Sequence, residues 1–376
     1  MKVLVVMGTR PEVIKLAPVV IELRKQSINT VICSTGQHRE MLKQSLEVFY
    51  LLPDIELNVM EAGQSLNKLA AKLMSQIDDV MLAEKPDWVV IQGDTTTAFC
   101  AGWAAFQRNI KVAHIEAGLR TGNMQSPFPE EANRCLIAKI ASLHFAPTLQ
   151  SKQHLLLEGV REEDIRLVGN TVVDALDLAR GLEPIIQRIV RIRNACPEAE
   201  GKKLILVTCH RRENFGDVLE EICLILKELA TTYFQYHWIF PVHLNPQVQE
   251  PVKRILNHLP NLSLIPPTDY LTTIAILENS VLVISDSGGI QEEAPSFGVP
   301  VVVMRNYTER LEGVEAGFAI LAGQTAGSIE KAVKECLENP DLLKKIAITK
   351  TPYGDGFASV RVVAALQNEI FADFSG

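Results

Sequence analysis

Short apolar segments alternate with helical patterns along the chain, and this alternation is the feature that most limits the possible folds. The segments are rich in Val and Ile, as expected for strands buried on both faces of a parallel sheet. In the first half they occupy residues 3–7, 30–35, 88–91 and 142–146. Because parallel strands are joined by crossover helices, the pattern predicts a doubly wound α/β domain.

The alternation stops between residues 182 and 201 and then begins again. The later apolar segments occupy residues 204–208, 237–241, 262–265 and 281–285. A length of 376 residues is also sufficient for two domains, each with its own core. We therefore expect two Rossmann-like doubly wound domains that face one another across a cleft.

The composition excludes several classes of function. With 47% hydrophobic residues, 22% charged residues and a net charge of −8, the chain is an unlikely binder of nucleic acid or of anionic membranes. The seven cysteines form no CxxC motif, which favours a reduced chain with buried thiols. Only five apolar residues follow Met1 and Lys2, too few for a signal peptide. We expect a cytoplasmic protein.

Acidic residues follow two neighbouring apolar segments in the region 88–134. Asp94 comes directly after the segment 88–91 and Gly93, and Glu116 follows the apolar end of KVAHI. Glu130 begins a predicted helix and shares a face with Arg134, four residues later. Each residue alone could be a turn or capping residue. As a cluster they predict an active site, because open α/β sheets bind ligands at the carboxyl ends of their strands.

Two cations follow the first apolar segment. Arg10 lies in the turn after residues 3–7, and Lys15 lies in the helix that follows. A helix N-terminus beside a cation predicts an anion site, although both residues could also belong to a solvated helix edge. The chain contains no GxGxxG and no GxxxxGK[ST] motif, so neither an NAD site nor a P-loop is indicated.

The second half contains a glycine-containing turn with the same character. Ser287, Gly288 and Gly289 lie between an apolar segment and a predicted helix, where backbone N–H groups can approach a diphosphate. Glu293 lies one turn later and can accept hydrogen bonds from a ribose. The alternative is a tight turn with a helix cap. Further cationic or titratable candidates in this half are His210, Arg211, Arg212 and Arg310.

Several motifs, taken in order, give the chain a family resemblance. They are GTRPEVIKLAP, GQHREML, GDTTT, EAGLRTG, PEEANR, GNTVVDAL, HRREN, DSGGIQEEAPS and TPYGDG. Together they cover nearly the whole sequence and resemble the non-hydrolysing UDP-N-acetylglucosamine 2-epimerases.

This resemblance implies a glycosyltransferase-B type fold, a homodimer, and a last helix that packs back on the first domain. The implied domains are residues 1–172, 173–356 and 357–376. The implied reaction interconverts UDP-N-acetylglucosamine and UDP-N-acetylmannosamine without a metal or NAD, by elimination of UDP to 2-acetamidoglucal and its re-addition.

The resemblance also implies roles for individual residues. The catalytic residues would be Asp94, Glu116, Glu130 and His210. The substrate would be bound by Arg10, Lys15, Arg134, Ser287, Gly288, Gly289, Glu293 and Arg310. Which carboxylate acts as the base in which direction stays open.

The chain departs from the family pattern at a few positions. Leu311 replaces a proline, and Thr273 replaces a phenylalanine that is frequent in relatives. In a regulatory site for a second UDP-N-acetylglucosamine, Gln37, Arg211 and His243 match the family. Glu40 and Gly63 do not, because a glutamine and an arginine are expected there, so we expect weak or absent activation.

Three other functions remain open from the sequence. The same epimerisation could act on a modified sugar, such as a UDP-2,3-diacetamido uronic acid. A retaining glycosyltransferase would need an acceptor. A non-catalytic nucleotide-sugar sensor would have no use for the three carboxylates and His210.

Overall fold

The computed structural model describes residues 1–36, 39–61, 63–211 and 214–375, except for the side chains of 39–41. Gln37 and the side chain of Glu40 therefore lie outside the described part. The chain forms two compact units, one of Met1–Ala179 with Tyr353–Gly376 and one of Arg180–Pro352. Among the described residues, no helix is long and apolar enough to cross a membrane.

The first unit is built on a seven-stranded parallel sheet. Its strands are β1 (Lys2–Met7), β2 (Asn29–Ser34), β3 (Ile55–Glu56), β4 (Trp88–Gln92), β5 (Lys111–Ile115), β6 (Leu143–Ala146) and β7 (Ile165–Leu167). The spatial order is β3-β2-β1-β4-β5-β6-β7. The order reverses beside β1, which gives the topological switch point of a doubly wound sheet.

The second unit contains a six-stranded parallel sheet. Its strands are β8 (Leu204–Thr208), β9 (His237–Pro241), β10 (Leu262–Ile265), β11 (Ser280–Ser285), β12 (Val301–Val303) and β13 (Ala319–Leu321). The spatial order β10-β9-β8-β11-β12-β13 again reverses beside the first strand. The predicted α/β class with two Rossmann-like sheets is confirmed.

Helices connect the strands of both sheets. In the N-terminal part of the chain they are α1 (Arg10–Lys25), α2 (Arg39–Val48), α3 (Leu66–Glu84), α4 (Thr96–Gln107), α5 (Glu130–Ile140), α6 (Leu149–Leu157) and α7 (Thr171–Leu182). The later helices are α8 (Ile185–Ala195), α9 (Asp217–Thr232), α10 (Pro246–Leu256), α11 (Tyr270–Glu278), α12 (Gly288–Glu293), α13 (Leu311–Glu315), α14 (Ala326–Leu337), α15 (Pro340–Ile348) and α16 (Ala358–Leu366).

Local chemistry explains where helices begin after the strands. The Thr95 hydroxyl accepts a hydrogen bond from the backbone N–H of Ala98 at 3.0 Å, which caps α4 directly after the β4 turn. Asp269 caps α11 in the same way, through the N–H of Thr272 at 2.8 Å. Since every paired strand is parallel, the turns before these helices lie at one edge of each sheet.

The boundaries between the units differ from the predicted ones. The first unit continues past residue 172 to Ala179, and the chain rejoins it at Tyr353, earlier than the predicted 357. The reason is that the part of α7 up to Ala179 is joined to the start of α16 by hydrogen bonds. The buried carboxylate of Asp174 in α7 accepts hydrogen bonds from the N–H groups of Ala358 (3.2 Å) and Ser359 (2.7 Å) at the start of α16.

We expect Asp174→Ala to release α16 from the first unit. The substitution leaves buried N–H groups of Ala358 and Ser359 without an acceptor, which costs about 2 kcal/mol of unfolding free energy. Urea unfolding measures the loss, and limited proteolysis beyond Tyr353 detects the released segment. Asp79→Ala, at an exposed position of α3, is the matched control. Equal midpoints for the two variants would contradict this role of Asp174.

Candidate active site

Polar side chains converge at the carboxyl edge of the first sheet. Gln92, the last residue of β4, pairs with Ile115, the last residue of β5. The N–H of Gly93 donates to the carbonyl of Ile115 at 3.0 Å. A Cβ atom on Gly93 would lie 3.4 Å from a carboxylate oxygen of Glu116. The backbone next to Asp94 is therefore in contact with the Glu116 side chain, as their positions after neighbouring strands predict.

Glu116 is held by polar groups from three other elements. Its backbone is in the left-handed region, with a φ of 64°. One carboxylate oxygen forms an ion pair with the ammonium of Lys15 and accepts a hydrogen bond from Asn170 at 3.4 Å. The other accepts one from Gln92. Lys15, predicted to bind the nucleotide, thus contacts a predicted catalytic carboxylate.

Asp94 is held by two residues of α5. The guanidinium of Arg134 contacts its Oδ2 through Nε at 2.8 Å and Nη2 at 2.7 Å. The Asn133 amide donates to its backbone carbonyl at 2.7 Å. Arg134 also donates to Glu131 at 3.0 Å. Glu131 in turn accepts the N–H groups of Thr121 and Gly122, so the loop after β5 supports the Asp94–Arg134 pair.

Arg10 and Glu130 are the other predicted site residues of the first unit. Arg10 is the first residue of α1, Glu130 is the first residue of α5, and both are half-buried. Arg134, predicted to share a helical face with Glu130, has its guanidinium against Asp94 and Glu131.

Glu12 is a buried carboxylate that the sequence reasoning missed. Its oxygens accept hydrogen bonds from the N–H groups of Gly8 (3.0 Å) and Thr9 (2.7 Å) and from the hydroxyl of Thr95 (2.7 Å). Burial raises the pKa of Glu12 to about 6, although these hydrogen bonds act in the opposite direction. Glu12 fixes the turn after β1 to the turn that carries Asp94.

His210 and Asp286 meet at the carboxyl edge of the second sheet. They follow the neighbouring parallel strands β8 and β11. His210 Nδ1 lies 3.2 Å from Oδ1 of Asp286. Asp286 Oδ2 accepts hydrogen bonds at 2.9 Å from the N–H groups of His210 and Arg211 and from the Asn214 amide. Burial alone would raise the pKa of Asp286, but His210 and these donors lower it to about 2.

A second histidine stacks against His210. The ring centroids of His210 and His243 are 6.5 Å apart with an interplanar angle of 23°. Burial, together with the nearby His210, lowers the pKa of His243. Of the residues that the resemblance assigns to a regulatory site, His243 and the backbone of Arg211 thus lie beside His210.

The glycine-containing turn follows Asp286. Ser287 precedes α12, which contains Gly288, Gly289 and, as its last residue, the buried Glu293. A Cβ atom on Gly288 would lie 2.8 Å from the guanidinium carbon of Arg310. A side chain at 288 would have to displace this guanidinium from its ion pairs with Glu292 and Glu309.

The environment of Arg310 differs from the one expected for a cation that binds the nucleotide. It is buried and forms ion pairs with Glu292, at 2.8 Å, and with Glu309. Glu309 also pairs with the buried Arg305 at 3.1 Å. These contacts make Arg310 a support for the turn at Gly288.

The sequence reasoning missed the residues that hold the candidates in place. They are Glu12, Gln92, Glu131, Asn133, Asn170, Asp286 and Glu292. Gln92 and Asn170 could have been found, because each ends or follows a strand at the same edge as Glu116. Among the described residues, no group of three or more His, Cys, Asp or Glu could hold a metal ion.

Comparison with known sequences gives one family. Residues 21–367 match the family described as UDP-N-acetylglucosamine 2-epimerase. The enzyme of that name from Escherichia coli O157:H7 is 46% identical over 371 residues, which cover 98% of this chain and 99% of the relative. The one from Neisseria meningitidis serogroup A is 45% identical over 372 residues, covering 97% and 99%.

Solved structures agree with the sequence relatives. The UDP-GlcNAc 2-epimerase from Neisseria meningitidis bound to UDP-GlcNAc superimposes with a TM-score of 0.94 at 44% identity, over 98% of this chain and 100% of that one. The enzyme from Methanocaldococcus jannaschii in complex with UDP-GlcNAc and UDP gives 0.82 at 34% identity, over 98% and 100%. Since both the family match and its relatives extend over most of the sequence, the chain belongs to the UDP-N-acetylglucosamine 2-epimerase family.

Proposed function

We propose that this protein is a non-hydrolysing epimerase that interconverts UDP-N-acetylglucosamine and UDP-N-acetylmannosamine. The observation that carries the proposal is the pair of carboxylates, Asp94 and Glu116, on neighbouring strand ends, each in contact with its own cation. Relatives that align over almost the whole chain are UDP-N-acetylglucosamine 2-epimerases, and one has been solved with UDP-GlcNAc bound.

The chemistry follows from the weak acidity of the C2–H bond. No carbonyl group is attached to C2, so a base alone cannot remove this proton. In the proposed reaction the C1–O bond to UDP breaks and its electron pair leaves with the diphosphate. A carboxylate takes the C2 proton, and the C1=C2 bond of 2-acetamidoglucal forms. In the second half a carboxylic acid returns a proton to the other face of C2, and the diphosphate oxygen adds to C1.

Two carboxyl groups are needed because the proton leaves one face of the sugar and returns to the other. The ammonium of Lys15 favours the ionised form of Glu116, which is the form that accepts a proton. The guanidinium of Arg134 forms an ion pair with Asp94 at 2.7 Å. Glu130, half-buried at the start of α5, is the third candidate. We leave open which of the three acts as the base in each direction.

Stabilisation of the departing diphosphate is the second requirement, because negative charge develops there. We propose that the N–H groups of the turn at Ser287, Gly288 and Gly289 supply part of it, together with Arg10 and His210. Glu293 is proposed to bind the ribose. Arg310 is proposed to hold the turn at Gly288 through its ion pairs with Glu292 and Glu309.

We further propose that the protein acts in the cytoplasm, in polysaccharide biosynthesis, as a homodimer. All seven cysteines are free, which fits a reducing compartment. The packed helices α3, α4 and α5 each expose a large apolar residue, namely Leu82, Phe106 and Leu136. Such residues on neighbouring helices suit a protein interface. Light scattering that gave the mass of one chain, 41.6 kDa, at micromolar concentration would contradict the dimer.

Incubation of UDP-N-acetylglucosamine with the protein in D₂O tests the reaction. We expect NMR to show deuterium at C2 of both epimers, because the proton passes through carboxyl groups that exchange with solvent. Asp94→Asn and Glu116→Gln should each slow the exchange by at least about a hundredfold. Glu47→Gln, at an exposed position of α2, is the matched control and should exchange at the normal rate.

The same experiment separates the alternatives. Suppose that a UDP-2,3-diacetamido uronic acid exchanges its C2 hydrogen and UDP-N-acetylglucosamine does not. The reaction would then be the proposed epimerisation, but its substrate would be the modified sugar. Release of UDP only after an acceptor is added would indicate a glycosyltransferase. No C2 deuterium in either nucleotide sugar would refute the proposed function.

A further inference from the structure

The two carboxylate oxygens of Asp286 have different surroundings. Oδ2 accepts three hydrogen bonds, and Oδ1 faces His210. Three N–H donors at 2.9 Å surround Oδ2, and two of them are backbone groups. The third donor, Asn214, is itself held by Gln324 at 2.7 Å. Asp286 is completely buried, so this arrangement fixes the orientation of the carboxylate. Oδ1 faces His210, whose Nδ1 lies 3.2 Å away.

The partner atoms also define which nitrogen of each stacked histidine carries a proton. A carboxylate only accepts hydrogen bonds, so the nitrogen of His210 that faces Asp286 must be protonated. His243 is in the opposite situation. Its Nδ1 accepts a hydrogen bond from the backbone N–H of Asn245 at 3.1 Å, so that nitrogen must be unprotonated.

We propose that Asp286 is a positioning residue that holds His210 with its proton on Nδ1, while the stacked His243 is held with its proton on Nε2. The two rings therefore carry their protons on different nitrogens, although both rings follow strand ends. The Nε2 atom of His210, whose side chain is 44% exposed, is left free to accept or donate a proton at the site. This inference rests on the proposed function only for the use made of that Nε2 atom.

Substitution of Asp286 by asparagine should move the proton of the neutral His210 ring from Nδ1 to Nε2. The three donors around Oδ2 require an acceptor, so the amide oxygen of the asparagine occupies that position. Its NH₂ group then faces His210 Nδ1 and can only donate. The neutral His210 ring must move its proton to Nε2, which removes the free acceptor. The neighbouring His243 keeps the hydrogen bond from the N–H of Asn245 to its Nδ1, and therefore keeps its Nε2 proton.

Nitrogen-15 NMR of the imidazole rings, in the protein without substrate at a pH where the rings are neutral, tests this directly. His210→Gln and His243→Gln spectra assign the two rings among the eight histidines. We expect Nδ1–H for His210 and Nε2–H for His243 in the native chain. In Asp286→Asn only His210 should change, and kcat should fall by about a hundredfold. Asp341→Asn, at an exposed position, should change neither ring.

The native spectrum alone can overturn the proposal, so it does not depend on the folding of a variant. Nε2–H on both rings of the native protein would contradict it. An unchanged His210 proton in a folded Asp286→Asn protein would do so as well. Failure of the proposed epimerase function would appear in the deuterium experiment and would leave the two ring states as they are.

Discussion

The ion pair between Lys15 and Glu116 is the interaction on which the candidate site of the first unit depends. Both side chains are buried, and an unpaired charge in such a position costs several kcal/mol, on the order of 3–5. Glu116 also has a left-handed backbone, which costs about 1–3 kcal/mol for a residue other than glycine. The pair, with Gln92 and Asn170, offsets both costs and fixes the position of the Glu116 carboxylate.

Both units use their sheet edge in the same way. In the first unit Glu131 holds Arg134, and Arg134 holds Asp94. In the second, Gln324 holds Asn214, which holds Asp286 beside His210. Asp94 and His210 are therefore each held by a polar residue that is itself hydrogen-bonded. Such support limits the motion of a catalytic group and favours one protonation state.

The sequence predicted the longer strands but not the short strands β3, β7, β12 and β13. The apolar segments 204–208, 237–241 and 262–265 are strands with those bounds, since a short Val/Ile-rich run between helices has few alternatives. Asp94 and Glu116 follow neighbouring parallel strands that end at one edge of the sheet.

The pairing of the side chains could not be read from the sequence. Lys15 and Glu116 are far apart in the chain, and they meet only because β1 and β5 both lie next to β4. The resemblance assigns Arg310 to substrate binding, and the sequence does not show that Glu292 and Glu309 form ion pairs with it. The sequence pattern also does not show that the carboxylate of Asp286 faces His210.

A double-mutant cycle on Lys15 and Glu116 tests the central claim most directly. Urea unfolding of Lys15→Met should show a loss of about 3 kcal/mol, because Glu116 keeps a buried charge without its ammonium. Adding Glu116→Gln removes that charge, so the double mutant should recover stability, with a coupling free energy above about 1 kcal/mol. Losses that add to within about 0.5 kcal/mol would show that the two residues act independently and would contradict the account.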